Sequence, residues 1–110
     1  QAHGVEAHID YRHLTPPMVN TEAETQLMQQ VCTELVGAEN VVTQAPKGLN
    51  GSEDFAWMLN EVPGCYLILG NGEGEFGGCM VHNPGYDFND QVLPLGAACW
   101  VRLAQTYLTA

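Results

Sequence analysis

The sequence predicts an α/β fold, because two kinds of apolar pattern alternate along 110 residues. Residues 5–12 alternate between apolar and polar side chains, which is the pattern of a half-buried strand. Residues 65–69 form a short continuous apolar run bounded by glycines, typical of a buried central strand. Three longer segments carry apolar residues at helical spacing instead. The predicted order is strand, helix, strand, helix, strand, strand, helix.

The helix boundaries follow from capping residues. Thr21, with Glu24 three positions later, forms the capping-box pattern that begins the first helix, and Gly37 is the expected end of that helix. Ser52 is the predicted N-cap of a second, shorter helix. A last amphipathic helix is expected over residues 91–108.

Short segments complete the predicted order. Two further extended pieces are expected at residues 41–43 and 79–82. Loops rich in glycine, asparagine or proline are predicted at residues 45–51, 70–78 and 82–90. Because binding and catalytic groups concentrate in loops next to regular elements, a functional site is expected in these loops.

Composition narrows the possible partners. Thirteen acidic residues oppose three basic ones, giving a net charge of −10, so nucleic acid and anionic membranes are poor partners. The longest nearly continuous apolar stretch, residues 92–101, is shorter than the roughly 18 residues of a membrane span. The four cysteines are well separated, which favours reduced thiols in a cytoplasmic protein.

Two places concentrate residues that could carry chemistry, and each has a structural alternative. Ser52, Glu53 and Asp54 either contribute to a site or only cap a helix and complement its dipole. His82 ends a predicted strand and is followed by Asn83, so its imidazole either binds a metal or is an ordinary loop side chain. The residues alone leave both interpretations open.

Three ordered motifs resemble a known family. They are Gly-Ser-Glu-Asp-Phe at residues 51–55, Pro-Gly-Cys-Tyr-Leu-Ile-Leu-Gly-Asn-Gly at 63–72, and His-Asn-Pro with Tyr-Asp-Phe-Asn-Asp at 82–90. Together with Tyr, Pro-Pro and Val-Asn within residues 11–20, they resemble the aminoacylase, hippurate hydrolase and auxin-conjugate amidohydrolase group of dinuclear metallopeptidases. The likeness covers nearly the whole chain.

The resemblance implies hydrolysis of the amide bond of N-acyl amino acids, which are small-molecule substrates. It also implies two divalent metal ions, such as zinc, manganese, cobalt or nickel, in the parent enzyme. Family members have a zinc-peptidase-like catalytic domain with an inserted lid that often dimerises. A homo-oligomer, or association of this segment with the missing N-terminal part, is therefore expected. By this comparison residues 1–14 are the end of the lid, including its last strand, and residues 15–110 are the C-terminal part of the catalytic domain.

The resemblance also assigns site residues. His82 matches the histidine of the family's His-x-Pro motif, which is a metal ligand. Ser52, Glu53, Asp54 and Asn83 are expected near the active site without direct metal contact being assigned to them. The family's Cys-x-His pair and adjacent Glu-Glu, which carry further ligands and the general base, do not occur in this sequence. No catalytic residue is therefore expected in this segment.

The leading interpretation is a fragment of a metal-dependent amidohydrolase that is inactive by itself, since catalytic zinc needs about three protein ligands. The first residues, without an initiator methionine, suggest a piece of a longer chain. The alternative is a freestanding, non-catalytic α/β module for self-association or partner binding. A third possibility is a small acidic structural domain in which His82 is only a loop residue.

Overall fold

The computed structural model describes residues 3–44, 51–74 and 78–108. In these ranges the regular elements are three helices, α1 (Glu22–Val36), α2 (Phe55–Glu61) and α3 (Leu93–Leu108). Single 3-10 turns follow α1 and precede α3, at Ala38–Asn40 and Asp90–Val92. Most of the predicted loop at 45–51, and part of the one at 70–78, lies outside the described residues.

The predicted strands do not form in the part of the chain that is described. Residues 5–12, 41–43 and 65–69 are irregular there, and residues 79–82 enter a turn. A strand exists through hydrogen bonds to a neighbouring strand, and no described segment pairs with any of these. Ile9, for example, is 86% exposed. The structure is therefore helical, and neither the α/β class nor the lid strand is confirmed.

Helix α1 begins and ends where the sequence predicts, but its start is stabilised differently. Gly37, at φ 84°, is in the left-handed region that favours glycine, and its N–H donates to the Thr33 carbonyl over 2.9 Å. Thr21 does not cap the helix backbone with its side chain. Its hydroxyl instead donates to the Glu24 carboxylate and accepts from the Gly64 N–H at 2.9 Å. The expected capping box is replaced by a tertiary contact.

Helix α2 also begins later than predicted. Asp54, not Ser52, is its N-cap, and Asp54 makes no capping bond with its side chain. The Glu53 carbonyl accepts the Ala56 N–H at 3.1 Å, so the first turn is closed by backbone atoms. The helix is only seven residues long, and the extended residue Val62 follows it.

The core lies where α1 packs against α3. Val31 and Met28 on α1 are buried, with exposed fractions of 0% and 6%. The Cys99 Sγ of α3 lies 3.9 Å from the Met28 Sδ. Arg102 donates from Nε and Nη2 to the Glu34 carboxylate at 2.9 and 2.6 Å, which closes the same interface at its edge. Hydrogen bonds to its carboxylate, first from Arg102 and then from Gln30, hold the pKa of Glu34 below its usual value.

A side-chain amide links the start of α1 to the apolar run at residues 65–69. The Asn20 Nδ2 donates to the Tyr66 carbonyl at 2.9 Å, and the Tyr66 N–H donates to the Asn20 Oδ1 at 2.8 Å. The neighbouring Thr21 N–H donates to the Gly64 carbonyl at 3.0 Å. These bonds resemble one rung of a β-ladder, in which a side chain replaces the partner strand.

Much apolar surface is left uncovered by this packing. The accessible surface is 9472 Å², against roughly 6,000 Å² for a folded monomer of this mass. The radius of gyration is 18.9 Å, where a compact domain of this length has about 13 Å. Trp100, Tyr107 and Ile68 are more than 60% exposed. Among the described residues, no helix has the length and apolar character needed to cross a membrane.

We expect Asn20→Ala to lower the free energy of unfolding by about 1–3 kcal/mol, since it removes the two hydrogen bonds to the Tyr66 backbone, worth roughly 0.5–1.5 kcal/mol each. Asn60→Ala, on an exposed position of α2, is the matched control and should change it by less than about 0.5 kcal/mol. Urea denaturation measures both. Equal effects for the two variants would contradict the role of the amide pair.

The thiol of Cys32 makes stability depend on alkaline pH. Burial, together with the neighbouring Cys99 and Cys65, raises the pKa of Cys32 to about 11. Because the folded pKa exceeds the unfolded one, this contribution is complete below pH 9 and is lost as the pH rises towards 11. Cys32→Ala should reduce the loss of unfolding free energy over that range, and Cys79→Ala should not. Identical pH profiles for all three proteins would exclude this origin.

Candidate functional site

The apolar run at residues 65–69 is continued by Gly70 and Asn71. It connects the segment that contains Ser52, Glu53 and Asp54 with the loop that contains His82. At one end Tyr66 contacts Glu53, and at the other Asn71 contacts the loop that follows His82. Five residues of extended chain span at most about 17 Å, so the Cα atoms of Tyr66 and Asn71 are no farther apart than that. The run, rather than direct contact, relates the two segments to each other.

In the first segment, the carboxylate of Glu53 accepts two hydrogen bonds. Its Oε2 accepts a hydrogen bond from the Tyr66 hydroxyl at 3.1 Å, and its Oε1 accepts from the Phe55 N–H at 3.4 Å. The rings of Phe55 and Tyr66 pack with centroids 5.6 Å apart. The Tyr66 pKa is raised, first by the hydrogen bond to Glu53, then by burial and by the carboxylate charge. Glu53 thus positions Tyr66 beneath the start of α2.

Ser52 and Asp54 do not share these contacts. Both side chains are exposed, and the structure gives neither of them a hydrogen bond to the Tyr66 ring or to the His82 loop. The Asp54 carbonyl accepts the Trp57 N–H at 3.0 Å, which is a helical backbone role. Asp54 therefore contributes a backbone carbonyl to the first turn of α2, and Glu53 is the one of the three whose side chain contacts Tyr66. Whether the three lie near an active site stays a prediction.

His82 lies in a turn rather than at the end of a strand. It is exposed and has φ 67°, the only positive φ among the non-glycine residues described. Such a conformation is uncommon outside glycine, although histidine is among the residues enriched in it. A left-handed residue re-aims its side chain relative to the flanking chain, and backbone strain of this kind concentrates at functional sites.

Asn83 shapes that turn. Its Oδ1 accepts the Gly85 N–H at 2.8 Å, and its carbonyl accepts the Tyr86 N–H at 2.9 Å. This is the local bonding pattern by which asparagine stabilises turns. Tyr86 in turn packs edge-on against Phe88, with ring centroids 5.0 Å apart. Asn83 therefore contributes the geometry of the loop next to His82.

A second amide pair, not anticipated from the sequence, fixes the far end of the loop. The Asn71 Nδ2 donates to the Asp87 carbonyl at 2.7 Å, and the Asn89 N–H donates to the Asn71 Oδ1 at 2.9 Å. The Asn89 side chain then accepts the Gln91 N–H at 3.1 Å and caps the 3-10 turn before α3. The only sequence signal for Asn71 was its position just past an apolar run, with Gly70 between them. The only signal for Asn20 was its position just before α1.

The described residues do not form a complete metal site. No group of three histidine, cysteine, aspartate or glutamate side chains comes together in the described ranges, whereas a catalytic zinc needs about three protein ligands. The imidazole of His82 is exposed and carries a donor that suits zinc and similar ions. Within the described residues, His82 could therefore supply one ligand of such a site, but the other ligands are not present there.

The sequence matches the model of Peptidase family M20/M25/M40 over residues 4–106. That match covers nearly the whole chain, and the chain belongs to this family. The family assigned from the three motifs is thereby confirmed.

Individual relatives point in the same direction. The chain is 36% identical over 97 residues to IAA-amino acid hydrolase ILR1-like 2 of Arabidopsis thaliana, covering 88% of this chain and 22% of that protein. It is 33% identical over 94 residues to IAA-amino acid hydrolase ILR1-like 4 of the same plant, covering 84% and 21%. It is 29% identical over 108 residues to the hippurate hydrolase of Campylobacter jejuni, covering 98% and 27%.

The chain thus spans only about a fifth to a quarter of the length of these curated relatives. No solved structure matches it significantly.

We expect Glu53→Ala to lower the pKa of Tyr66 towards its ordinary value, because the acceptor and the negative charge that oppose phenol ionisation both disappear. Asp54→Ala is the matched control and should leave that pKa unchanged. The pH titration of the labelled Tyr66 ring followed by NMR distinguishes it from the other tyrosines. An unchanged Tyr66 titration in Glu53→Ala would refute the contact.

Proposed function

We propose that this chain is part of a metal-dependent amidohydrolase that cleaves the amide bond of N-acyl amino acids. The observation that carries the proposal is the family match over residues 4–106, together with relatives named as hydrolases of this type. Their names refer to IAA-amino acid conjugates and to hippurate, which is itself an N-acylated glycine. A small amide with a free amino-acid carboxylate is therefore the substrate class we infer.

His82 is the residue we assign to the metal centre. Its exposed imidazole lies in a loop fixed by Asn83 at one end and by the Asn71 pair at the other. These hydrogen bonds fix the backbone of the loop that carries the imidazole, so they limit where its ring can lie. Two divalent ions, such as zinc, manganese, cobalt or nickel, would supply an acidified water and polarise the scissile carbonyl when bound. The remaining ligands and the general base must come from residues outside those described.

Glu53 has a supporting role in this proposal. Its carboxylate is engaged by Tyr66 and by the start of α2, so it orients the run that leads to Asn71 rather than transferring a proton. Residues 1–14 are assigned to the end of a lid domain and residues 15–110 to the catalytic domain. We further propose a cytoplasmic enzyme with no nucleic-acid or membrane partner, in which this segment forms a homo-oligomer or associates with the missing N-terminal part.

A second candidate is a freestanding module for self-association or partner binding. It is favoured by the large exposed apolar side chains of α2 and α3, such as Trp57 and Trp100, which are 53% and 63% exposed. The two proposals differ in one observable. A Cys-x-His pair and adjacent glutamates in the same polypeptide, upstream of this segment, support the enzyme. Their absence from the native polypeptide supports the module.

In the complete enzyme we expect His82→Ala to lower metal occupancy or turnover by at least the roughly 10–100-fold that follows loss of a supporting contact. His3→Ala, at an exposed position, serves as the control and should retain both. Metal content measured by mass spectrometry and hydrolysis of an N-acyl amino acid give the two readings. Normal stoichiometry and turnover in His82→Ala would make His82 an ordinary loop residue.

The isolated 110-residue chain should not hydrolyse N-acyl amino acids with added zinc, manganese or cobalt. The reason is that it lacks the family's Cys-x-His and Glu-Glu motifs, and with them the general base. Turnover is assayed beside the complete enzyme, which controls for substrate and metal. Chelator-sensitive turnover by the purified fragment would disprove the expectation.

A further inference from the structure

Two cysteines from different helices face the same interface. Cys99 of α3 lies against Met28 of α1, with 3.9 Å between the two sulfur atoms. Met28 and Cys32 are four residues apart on α1, so they occupy the same face of that helix. Cys32 is therefore on the side of α1 that Cys99 approaches.

A second contact confirms this register. Arg102, three residues after Cys99, forms its ion pair with Glu34, two residues after Cys32. The ion pair fixes the height of Cys32 along α1 relative to the turn of α3 that contains Cys99 and Arg102. The contact of Met28 with Cys99 fixes the face, because Cys32 shares the face of Met28, whereas a residue two positions away, such as Glu34, does not.

From this register we propose that Cys32 and Cys99 are an oxidation site that closes to a reversible disulfide between α1 and α3. Both thiols are free and half-buried, so a small oxidant can reach them. The oxidant we name is hydrogen peroxide. The bond would covalently join the two helices that form the core.

The disulfide forms in two steps. One thiolate attacks a peroxide oxygen, the O–O bond breaks, and a sulfenic acid and hydroxide form. The sulfur of the second cysteine then displaces the sulfenic hydroxyl, which leaves as water, and the S–S bond closes. Two thiols lose two electrons and two protons, and the peroxide is reduced to water.

The local environment sets the conditions of the reaction. Burial and the adjacent thiols raise the pKa of Cys32 to about 11, so little of it is thiolate at neutral pH. Oxidation should therefore be slow at pH 7 and faster at pH 9. Cys65 is the competing partner, since it also contributes to the raised pKa of Cys32. Its sulfur accepts a hydrogen bond from the Asn20 Nδ2 at 3.4 Å, which holds it at the other amide pair.

The test treats the complete folded protein with hydrogen peroxide at pH 8.5, followed by alkylation, cleavage at basic and acidic residues, and mass spectrometry. The expected product is a Cys32–Cys99 peptide that is lost on reduction. Cys32→Ser should abolish it, and Cys79→Ser should not, because Cys79 lies in the turn before His82. Protein oxidised in urea is a further control, in which other pairings should dominate because the helices no longer hold the two thiols together.

The main measurement is the yield of the Cys32–Cys99 peptide from the protein without substitutions. The test therefore does not depend on whether a cysteine variant folds. A dominant Cys32–Cys65 or Cys65–Cys99 link, or sulfinic acid without any disulfide, would overturn the proposed pairing. A Cys32–Cys99 yield equal in folded and urea-treated protein would show that the helix register does not direct it.

Discussion

The amide pair between Asn20 and Tyr66 is the constraint on which the described structure depends. It ties the start of α1 to the run at residues 65–69, and that run in turn holds Glu53 through Tyr66 and the His82 loop through Asn71. Without it, α1 and the run would be joined by far fewer polar bonds. Hydrogen bonds of this kind add little net energy each, but leaving a buried donor or acceptor unpaired is costly. The pair therefore fixes the position of the run relative to α1 more than it adds to the free energy of unfolding.

Local signals in the sequence predicted the helices well. The period of apolar residues predicted α1 and α3, and Gly37 predicted the end of α1. These features depend only on neighbours within one or two helical turns. Ser52 was wrongly taken as the start of α2, since the residues that follow it do not adopt helical bonding until Phe55. Capping patterns indicate where a helix can begin, and tertiary contacts such as Thr21 with Gly64 decide how its end is satisfied.

The strands and the amide pairs were beyond the reach of such signals. A strand is defined by its partner, and alternation at residues 5–12 does not supply one. Asn20 and Tyr66 are 46 residues apart, and Asn71 and Asn89 are 18 apart, so no periodic pattern records either pair. For the site, three short motifs predicted the family, which the family match confirms. The position of His82 in a left-handed turn was not predicted, because that conformation follows from the hydrogen bonds of the whole loop.

The second amide pair contains an asparagine that is open to slow deamidation. Asn71 is followed by Gly72, and an asparagine before glycine is open to attack by the next backbone nitrogen on its side-chain carbonyl, which ends in conversion to aspartate or isoaspartate. A carboxylate has no hydrogen to donate to the Asp87 carbonyl, and it would place a negative charge against that oxygen. While the bonds to Asp87 and Asn89 hold the amide still, they also keep it from the geometry this attack needs. Deamidation of Asn71 would therefore first require these bonds to open, and the product would no longer hold the His82 loop in place.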